Sequence, residues 1–134
     1  MKDISMAEIL VMHYHTVTVI QKNHATPGLR EPGVLDAALR QPFQEIFGEE
    51  QYPDPFSKAA VMSFGIINGH PFVDGNKRIG IIAGIVFLEI NGYEATASND
   101  SVYDAAYNVA SGIWGRDDLR HWFSESFVRP GTRL

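Results

Sequence analysis

The sequence predicts an all-α fold of about six helices. Two long segments, residues 59–67 and 79–90, carry apolar residues on nearly every face, which is typical of a central pair of buried helices. Other segments repeat apolar residues at helical spacing and are bounded by capping residues, Pro or Gly. We expect the 134 residues to form a single domain with a frayed tail from about residue 129.

The composition argues against several classes of protein. Because cysteine is absent, disulfides, cysteine zinc sites and a thiol nucleophile are excluded. The first eight residues include acids where a signal peptide would be apolar, and the apolar run 79–90 is too short to span a bilayer. A net charge of -5 argues against a nucleic-acid partner. We therefore expect a cytoplasmic protein with no membrane partner and no direct contact with nucleic acid.

The first helix is predicted to begin after Ser5 and to continue to about Lys22. Ser5 and Glu8 have the spacing of a capping box, in which each side chain accepts a hydrogen bond from the other residue's amide. His13 and His15 lie on this helix two positions apart, so they do not share a face and cannot form a helical zinc pair. We interpret both as partly exposed helix histidines.

Residues 23–33 form a predicted loop, with a short helix over residues 34–40 that Pro42 ends. The neighbours Arg30 and Glu31 lie in the loop. They form a surface ion pair or, alternatively, contact the active site, and the residues alone leave both possibilities open.

Residues 41–55 show no clear period and are predicted to form a loop or short hairpin over the neighbouring site. Packing is the favoured role for the aromatic side chains in this segment. Asp54 and Pro55 then provide the N-cap and first position of the first buried helix. Asn68 and Gly69 end that helix.

The second buried helix is predicted to open at Lys77. Its many β-branched residues would also suit a strand, but its length and the Asn91-Gly92 end signal favour a helix. Gly80 and Gly84 are four residues apart and would allow another helix to approach closely.

Two further helices complete the predicted set. The first starts at Ser101 and stops at Gly112, and the second is capped by Asp117 and includes Phe127. His121 has no matching ligand and is interpreted as a surface or packing residue.

A polar motif, His70-Pro71-Phe72-Val73-Asp74-Gly75-Asn76-Lys77-Arg78, joins the two buried helices. The amides from Gly75 to Arg78 lie at the start of a helix, where they can bind an anion. Gly75 lets the backbone approach a phosphate closely, and Lys77 and Arg78 add positive charge. The motif therefore predicts a phosphate site.

Asp74 and His70 provide the other groups of a phosphoryl-transfer site. Asp74 is suited to bind Mg²⁺ that arrives with a nucleotide, and a neutral His70 can take a proton from a hydroxyl. Together they predict transfer of a phosphorus-containing group to a hydroxyl. In the alternative, purely structural interpretation, Asp74 and Asn76 cap a helix and His70 packs. Cations in a helix's first turn oppose its dipole, which argues against that alternative.

The motif resembles the Fic signature, histidine-proline-phenylalanine-x-acid-glycine-asparagine. Further stretches are similar to the death-on-curing (Doc) branch of the Fic superfamily: residues 27–30, 35, 38–39, 52–54 and 87–93. The resemblance covers most of residues 4–123. Fic enzymes that transfer AMP have glycine and a second arginine at two positions where this sequence has Lys77 and Ile81. Lys77 follows the Doc pattern.

The resemblance implies a Doc-like protein kinase built as an all-α Fic/Doc domain with a short flap. Such an enzyme transfers the γ-phosphate of ATP to a Ser/Thr hydroxyl, in the best-known case on elongation factor Tu, and halts translation. The resemblance implies that ATP binds in the reverse of the orientation found in AMP-transferring Fic enzymes and presents its γ-phosphate. By this resemblance His70 is the general base and Asp74 the Mg²⁺ ligand, and the residues that hold the phosphates are Gly75, Asn76, Lys77 and Arg78.

The resemblance also implies partners. Residues 41–55 match the flap that aligns the target peptide by strand-like pairing. Because the self-inhibiting Ser/Thr-x-x-x-Glu-Gly/Asn motif is not found, control by a separate antitoxin is expected. Two alternatives stay open: an AMP transferase using the same site, and a catalytically silent binding module with the same fold.

Overall fold

The computed structural model describes residues 1–21 and 25–131. Six α-helices account for most of this part of the chain, which confirms the all-α prediction. A π-helical turn (Thr16–Ile20) extends the first helix, and a 3-10 turn (Gln41–Phe43) follows the second. The helices are α1 (Met6–His15), α2 (Pro32–Arg40), α3 (Pro55–Gly69), α4 (Asn76–Ile90), α5 (Asn99–Ala110) and α6 (Arg116–Ser126).

Helices α3 and α4 form the predicted central pair, and the motif is the turn between them. They approach closely because α4 carries glycines on the contact face: a Cβ at Gly80 would overlap Ile67, and one at Gly84 would overlap Ser63 and Phe123. The predicted close approach at both glycines is therefore confirmed. As predicted, Asp54 caps α3, and its carboxylate accepts a hydrogen bond from the Ser57 amide at 2.8 Å.

Helix α1 starts as predicted but ends earlier. The capping box is present: Ser5 Oγ accepts from the Glu8 amide at 3.1 Å, and Glu8 Oε1 accepts from the Ser5 amide at 2.9 Å. The chain stays helical to Ile20, as predicted, but Thr16–Ile20 form a π-helical turn and not α-helix, and Lys22 lies outside the described residues. These five consecutive residues are all β-branched, which disfavours a regular α-helix. The Thr16 hydroxyl also donates a hydrogen bond to the Met12 carbonyl, a contact that distorts α-helices.

The start of α5 differs from the prediction. The helix begins at Asn99, and its cap is Ser98, whose hydroxyl accepts a hydrogen bond from the Ser101 amide at 3.1 Å. Ser101 lies inside the helix, where its hydroxyl accepts a hydrogen bond from Trp122 Nε1 at 3.0 Å. Ser98 and Ser101 both have side chains that can cap a helix, and Ser98, the earlier of the two in the chain, is the cap.

Asp117 does not cap α6 as predicted. The cap is Gly115, two residues before the predicted one, and Asp118 Oδ2 accepts a hydrogen bond from the Gly115 amide at 2.9 Å. His121 is an exposed residue, as predicted, and its Nε2 lies 3.8 Å from Glu125 Oε1.

Two antiparallel strand pairs supplement the helices, and one of them is the predicted hairpin. Within residues 41–55, β1 (Glu45–Ile46) pairs with β2 (Glu49–Glu50). The other pair joins β3 (Glu94–Ala95) to β4 (Phe127–Val128). Phe127 therefore lies in a strand, and its placement in the last helix is wrong: its main chain pairs with Ala95 while its ring stays buried.

The chain after β4 is only partly described. Arg129 lies over the Tyr93 ring, 5.5 Å from its centre, and residues 132–134 of the predicted frayed tail lie outside the described residues. Among the helices that the structure describes, none has both the length and the apolar composition needed to cross a membrane.

Candidate active site

A cleft of about 830 Å³ contains all six residues that the sequence predicts for the site. The motif turn and the start of α4 form one end, and the start of α5 forms the other. Its predicted lining residues are His70, Asp74, Gly75, Asn76, Lys77 and Arg78. Other lining residues had no site role predicted from the sequence, and they include Gln21, Asn99, Asp100, Val102, Tyr103 and Ala106.

His70 ends α3 in a left-handed backbone conformation, with φ of 49°. This conformation is uncommon for a residue other than glycine, and strained residues of this kind cluster at functional sites. Its main chain is held on both sides: the amide donates to the Ile66 carbonyl at 3.2 Å, and the carbonyl accepts from Arg30 Nη2 at 2.8 Å. The side chain stays exposed and lines the cleft.

The loop before α2 pairs with the motif, which decides between the two possibilities left open for Arg30 and Glu31. Both amides donate to the Pro71 carbonyl at 2.8 Å, and the Val73 amide donates to the Gly28 carbonyl at 2.9 Å. Arg30 therefore contacts the site, with its main chain and with its guanidinium.

Asn76 fixes the shape of the turn. Its side-chain oxygen accepts from the Phe72 amide at 2.9 Å, and its side-chain nitrogen donates to the Phe72 carbonyl at 3.0 Å. Both the oxygen and the nitrogen of this buried carboxamide are therefore hydrogen-bonded to the protein main chain. The main-chain amide of Asn76 remains available at the start of α4.

The start of α4 offers free amides to the cleft. The first hydrogen bond to a carbonyl four residues back runs from the Ile79 amide to the Gly75 carbonyl at 2.9 Å. The amides of Asn76, Lys77 and Arg78 precede it and have no such partner in the helix. Gly75, with φ of +79°, caps the helix without a side chain that could occupy these donors. This is the geometry of a helix N-terminal anion site.

His13 was predicted to be a partly exposed residue, and this is wrong. It is 3% exposed, its ring stacks on Phe72 with centres 3.7 Å apart, and Nε2 donates to the Asp74 carbonyl at 2.7 Å. Burial lowers its pKa, although the hydrogen bond to Asp74 and the charge of that residue act in the opposite direction. The signal was available: Ile9, His13 and Val17 follow at intervals of four and all three are buried. His15 is exposed, as predicted.

Gly75 could not easily be replaced. Besides the positive φ, an added Cβ would lie 3.0 Å from Val17 Cγ1 and 3.4 Å from His13 Nε2. It would also lie 3.2 Å from Gln21 Oε1, a buried oxygen that has no hydrogen-bond partner in the described part of the chain. Helix α1 and its π-helical extension therefore form the floor beneath the motif.

Asp74 is the acidic group at the motif end of the cleft. Its Oδ2 accepts a hydrogen bond from the Thr26 amide at 3.0 Å, and the residue is exposed. Among residues 1–21 and 25–131, no three acidic or histidine side chains converge as a metal cluster. Protein-bound Mg²⁺ commonly combines one or two carboxylates with substrate phosphates. A lone carboxylate beside an anion site fits a magnesium–nucleotide complex better than a metal held by the protein alone.

Lys77 points toward α5. Its ammonium lies 5.4 Å from the centre of the Tyr103 ring and 6.0 Å from that of Tyr107, which is the range of cation–π contacts. Lys77 thus joins the two helices at the cleft.

A buried lysine, whose role was not predicted from the sequence, anchors the β1–β2 hairpin. Lys58 is 2% exposed, and its ammonium donates to the Pro42 carbonyl and to Glu50, both at 2.9 Å. The ammonium also lies 5.2 Å from the centre of the Phe43 ring. At the tip, Phe47 is fully exposed and has φ of 52°. Such an exposed, strained aromatic residue is unfavourable unless it has a partner.

Comparison with known proteins agrees with the motif. Residues 3–88 match the Fic/DOC family. A protein named Toxin Doc from Mycolicibacterium smegmatis is 36% identical over 89 residues, which span 66% of this chain and 67% of the relative. A protein named Protein kinase doc from Escherichia phage P1 is 27% identical over 112 residues, which span 84% of this chain and 85% of the relative.

Proposed function

This chain belongs to the Fic/Doc family, and we propose that it is a Doc-type toxin kinase. In this proposal it transfers the γ-phosphate of ATP to a serine or threonine hydroxyl of a protein. The observation that carries the proposal is the cleft itself, where an exposed imidazole, a carboxylate and the free amides of α4 share one space.

Phosphate binding would rest on main-chain donors and two cations. The amides of Asn76, Lys77 and Arg78 and the positive end of the α4 dipole attract phosphate oxygens. The Arg78 guanidinium can bind two oxygens at once. The side chain of Asn76, which holds Phe72, contributes by fixing the turn, so its part in phosphate binding is its amide.

His70 acts as the general base. As the target hydroxyl oxygen forms a bond to the γ-phosphorus, the bond from that phosphorus to the bridging oxygen of ADP breaks. The hydroxyl proton passes to the His70 imidazole, and ADP leaves with the bonding electrons. Asp74 would hold Mg²⁺, which supplies charge neutralisation on the phosphates.

Two residues favour phosphate transfer over AMP transfer. Lys77 replaces the glycine of AMP-transferring Fic enzymes, and its ammonium lies 5.4 Å from the centre of the Tyr103 ring and 6.0 Å from that of Tyr107. Ile81 replaces their second arginine and is buried, so this side of the cleft carries no second guanidinium. The cleft therefore has fewer cationic groups to bind the β- and γ-phosphates of an ATP molecule whose phosphate chain extends past Lys77.

The β1–β2 hairpin would align the target protein. Its exposed strands can add a peptide strand, and the Phe47 side chain is free to contact the partner. We propose elongation factor Tu as the target, which would place the reaction in the cytoplasm and stop translation. We further propose that a cognate antitoxin restrains the enzyme, which the name of the relative Toxin Doc supports.

Intact-mass spectrometry of elongation factor Tu after incubation with the protein, ATP and Mg²⁺ tests the proposal. We expect the mass of one added phosphate, and no addition when His70→Ala replaces the native protein. A mass increase of one AMP would instead assign the chain to AMP transfer. If neither appears with elongation factor Tu or in a whole-cell extract, the kinase proposal is wrong.

A further inference from the structure

Arg30, in the loop before α2, contacts the motif turn at two successive peptide groups. Its main-chain amide donates a hydrogen bond to the Pro71 carbonyl, and its guanidinium Nη2 donates to the His70 carbonyl, both at 2.8 Å. Main-chain pairing of residues 28–29 with residues 72–73 places the loop beside the turn. Because the main chain of Arg30 is fixed in this way, its guanidinium reaches the His70 carbonyl from a fixed starting point.

The guanidinium supports His70 in a conformation that the local sequence disfavours. His70 has φ of 49° and ψ of 54°, in the left-handed region that residues other than glycine rarely adopt. A residue that precedes a proline favours extended backbone, and Pro71 follows directly. The hydrogen bond from the His70 amide to the Ile66 carbonyl restrains φ, and the bond that the His70 carbonyl accepts from Arg30 restrains ψ.

The side chain of Arg30 makes no competing contact in the part of the chain that the structure describes. It forms no ion pair there, and the bond to the His70 carbonyl is its one side-chain hydrogen bond among those residues. Arg30 is also not among the described residues that line the cleft. It therefore acts on the imidazole through the backbone of His70. At the carboxyl end of α3 its charge also complements the helix dipole.

The backbone of His70 decides where its imidazole lies. A change in ψ rotates the chain on one side of the Cα atom relative to the other, so the ring would move relative to the free amides of α4. A general base needs to lie within about 2.6–3.2 Å of the group that gives up the proton. A displacement of about 1 Å can lower a reaction rate by roughly a hundredfold.

From these contacts we propose that Arg30 is a positioning residue for phosphate transfer. Its guanidinium fixes the His70 carbonyl, which keeps the imidazole directed into the cleft beside the phosphate site. The inference rests on the proposed function and adds a residue that lies outside both the motif and the cleft.

Arg30→Ala removes the guanidinium and leaves the main-chain bonds of the loop in place. With elongation factor Tu as the acceptor, steady-state kinetics would give kcat and the KM of each substrate. We expect kcat to fall by about ten- to a hundredfold and both KM values to stay within about twofold. Arg40→Ala is the matched control, because Arg40 is an exposed arginine whose guanidinium pairs with Asp36 at 2.9 Å. This control should keep the native kcat.

Nuclear magnetic resonance measures the backbone of His70 without any enzyme activity. The chemical shifts of its Cα and Cβ atoms depend on φ and ψ. We expect values typical of left-handed backbone in the native protein and in Arg40→Ala, and a change toward extended values in Arg30→Ala. A merely structural role of Arg30, with no effect on His70, would leave these shifts unchanged.

The outcomes separate the inference from the proposed function. If the native protein transfers no phosphate, the proposed function fails, and the His70 chemical shifts still decide whether Arg30 holds that backbone. If the native protein is active and Arg30→Ala keeps its kcat or its His70 shifts, the positioning role is wrong. An increased KM for either substrate with an unchanged kcat would mean that Arg30 contacts that substrate, which also overturns the inference. Should thermal unfolding show that Arg30→Ala folds poorly, Arg30→Met, which keeps an apolar stem and has no donor, replaces it with the same loss of kcat expected.

Discussion

The motif turn lines the cleft, whereas no residue of the β1–β2 hairpin does, and the two segments are fixed to different degrees. Three separate parts of the chain hold the turn: His13 from α1, Arg30 from the loop before α2, and Asn76 from α4. The hairpin has its own short pairing and one buried anchor, Lys58. Its strand residues and its Phe47 tip are exposed.

This difference has a physical reason. Phosphoryl transfer depends on groups held within a fraction of an ångström, so the contacts around the turn would raise the rate of the proposed reaction. Recognition of a protein needs accessible edges and side chains, which a buried element cannot supply. We therefore expect changes at the turn to affect the chemical step and changes at the hairpin to affect the KM for the target.

The largest effect is expected for His70→Ala. Loss of the proposed general base should slow phosphate transfer by roughly a hundred- to ten-thousandfold, with little change in the free energy of unfolding because the side chain is exposed. Single-turnover kinetics and thermal unfolding would measure the two quantities. His121→Ala, which removes another exposed histidine, is the control. Normal transfer by His70→Ala would remove His70 from the mechanism.

His13→Ala should affect both the fold and the chemistry of the turn. It removes the Phe72 stack and the hydrogen bond to Asp74, at a cost of about 2 kcal/mol in unfolding free energy. Because Asp74 is then less well positioned, we expect the Mg²⁺ concentration for half-maximal transfer to rise about tenfold.

His15→Ala, two residues away and exposed, serves as the matched control for this experiment. Titration of activity with Mg²⁺, alongside chemical denaturation, would compare the two variants. Identical behaviour would mean that the His13 contact with Asp74 has no effect on the site.

Phe47→Asn tests the hairpin. Asn adopts positive φ more readily than Phe, so the free energy of unfolding should stay the same or rise by a few tenths of a kcal/mol. Loss of the exposed ring should raise the KM for the target about tenfold and leave the KM for ATP unchanged. Steady-state kinetics with each substrate varied would show this. Ile113→Asn, at another exposed apolar residue, is the control, and an unchanged KM for the target would argue against contact at the tip.

The smallest effect is expected at Asp54, where the hairpin segment enters α3. Burial raises the pKa of Asp54, but hydrogen bonds from Ser57 and the charge of Arg120 outweigh it and hold the pKa below 3.8. The ionised carboxylate therefore stabilises the fold above about pH 4, and this contribution is lost as the pH falls through the lowered pKa.

Asp54→Asn keeps a capping side chain and removes the charge. Since Asp54 is partly exposed, we expect a loss of about 0.5 kcal/mol at pH 7. The difference from the native protein should shrink below pH 4. Denaturation at several pH values would measure it, and a difference that grows in acid would contradict the assignment.

The sequence predicted the parts of the molecule that depend on neighbouring residues. The two segments with apolar residues on nearly every face form α3 and α4. The Asp54 cap and the glycines of α4 that contact α3 were predicted from the residues that surround them in the sequence. The motif residues share one cleft because they are consecutive at a turn, so their proximity could be predicted without a tertiary structure.

The parts that were missed depend on contacts between distant residues. His13 and Asp74 are 61 positions apart, and no local pattern pairs them. Lys58 is a single charged residue in an apolar segment. Its role cannot be predicted without the tertiary structure, which brings Glu50 and the Pro42 carbonyl into hydrogen-bond contact with its ammonium. The α5 wall of the cleft likewise belongs to a helix far along the chain from the motif.

In the proposed reaction, the terminal phosphate of ATP is transferred in the cleft to a protein hydroxyl. The most direct measurement compares ATP labelled at the α-phosphate with ATP labelled at the γ-phosphate in a bacterial extract that contains the protein and Mg²⁺. We predict that label enters a protein band from γ-labelled ATP only, and that His70→Ala abolishes it. Label transferred from α-labelled ATP would contradict the account and assign the enzyme to AMP transfer.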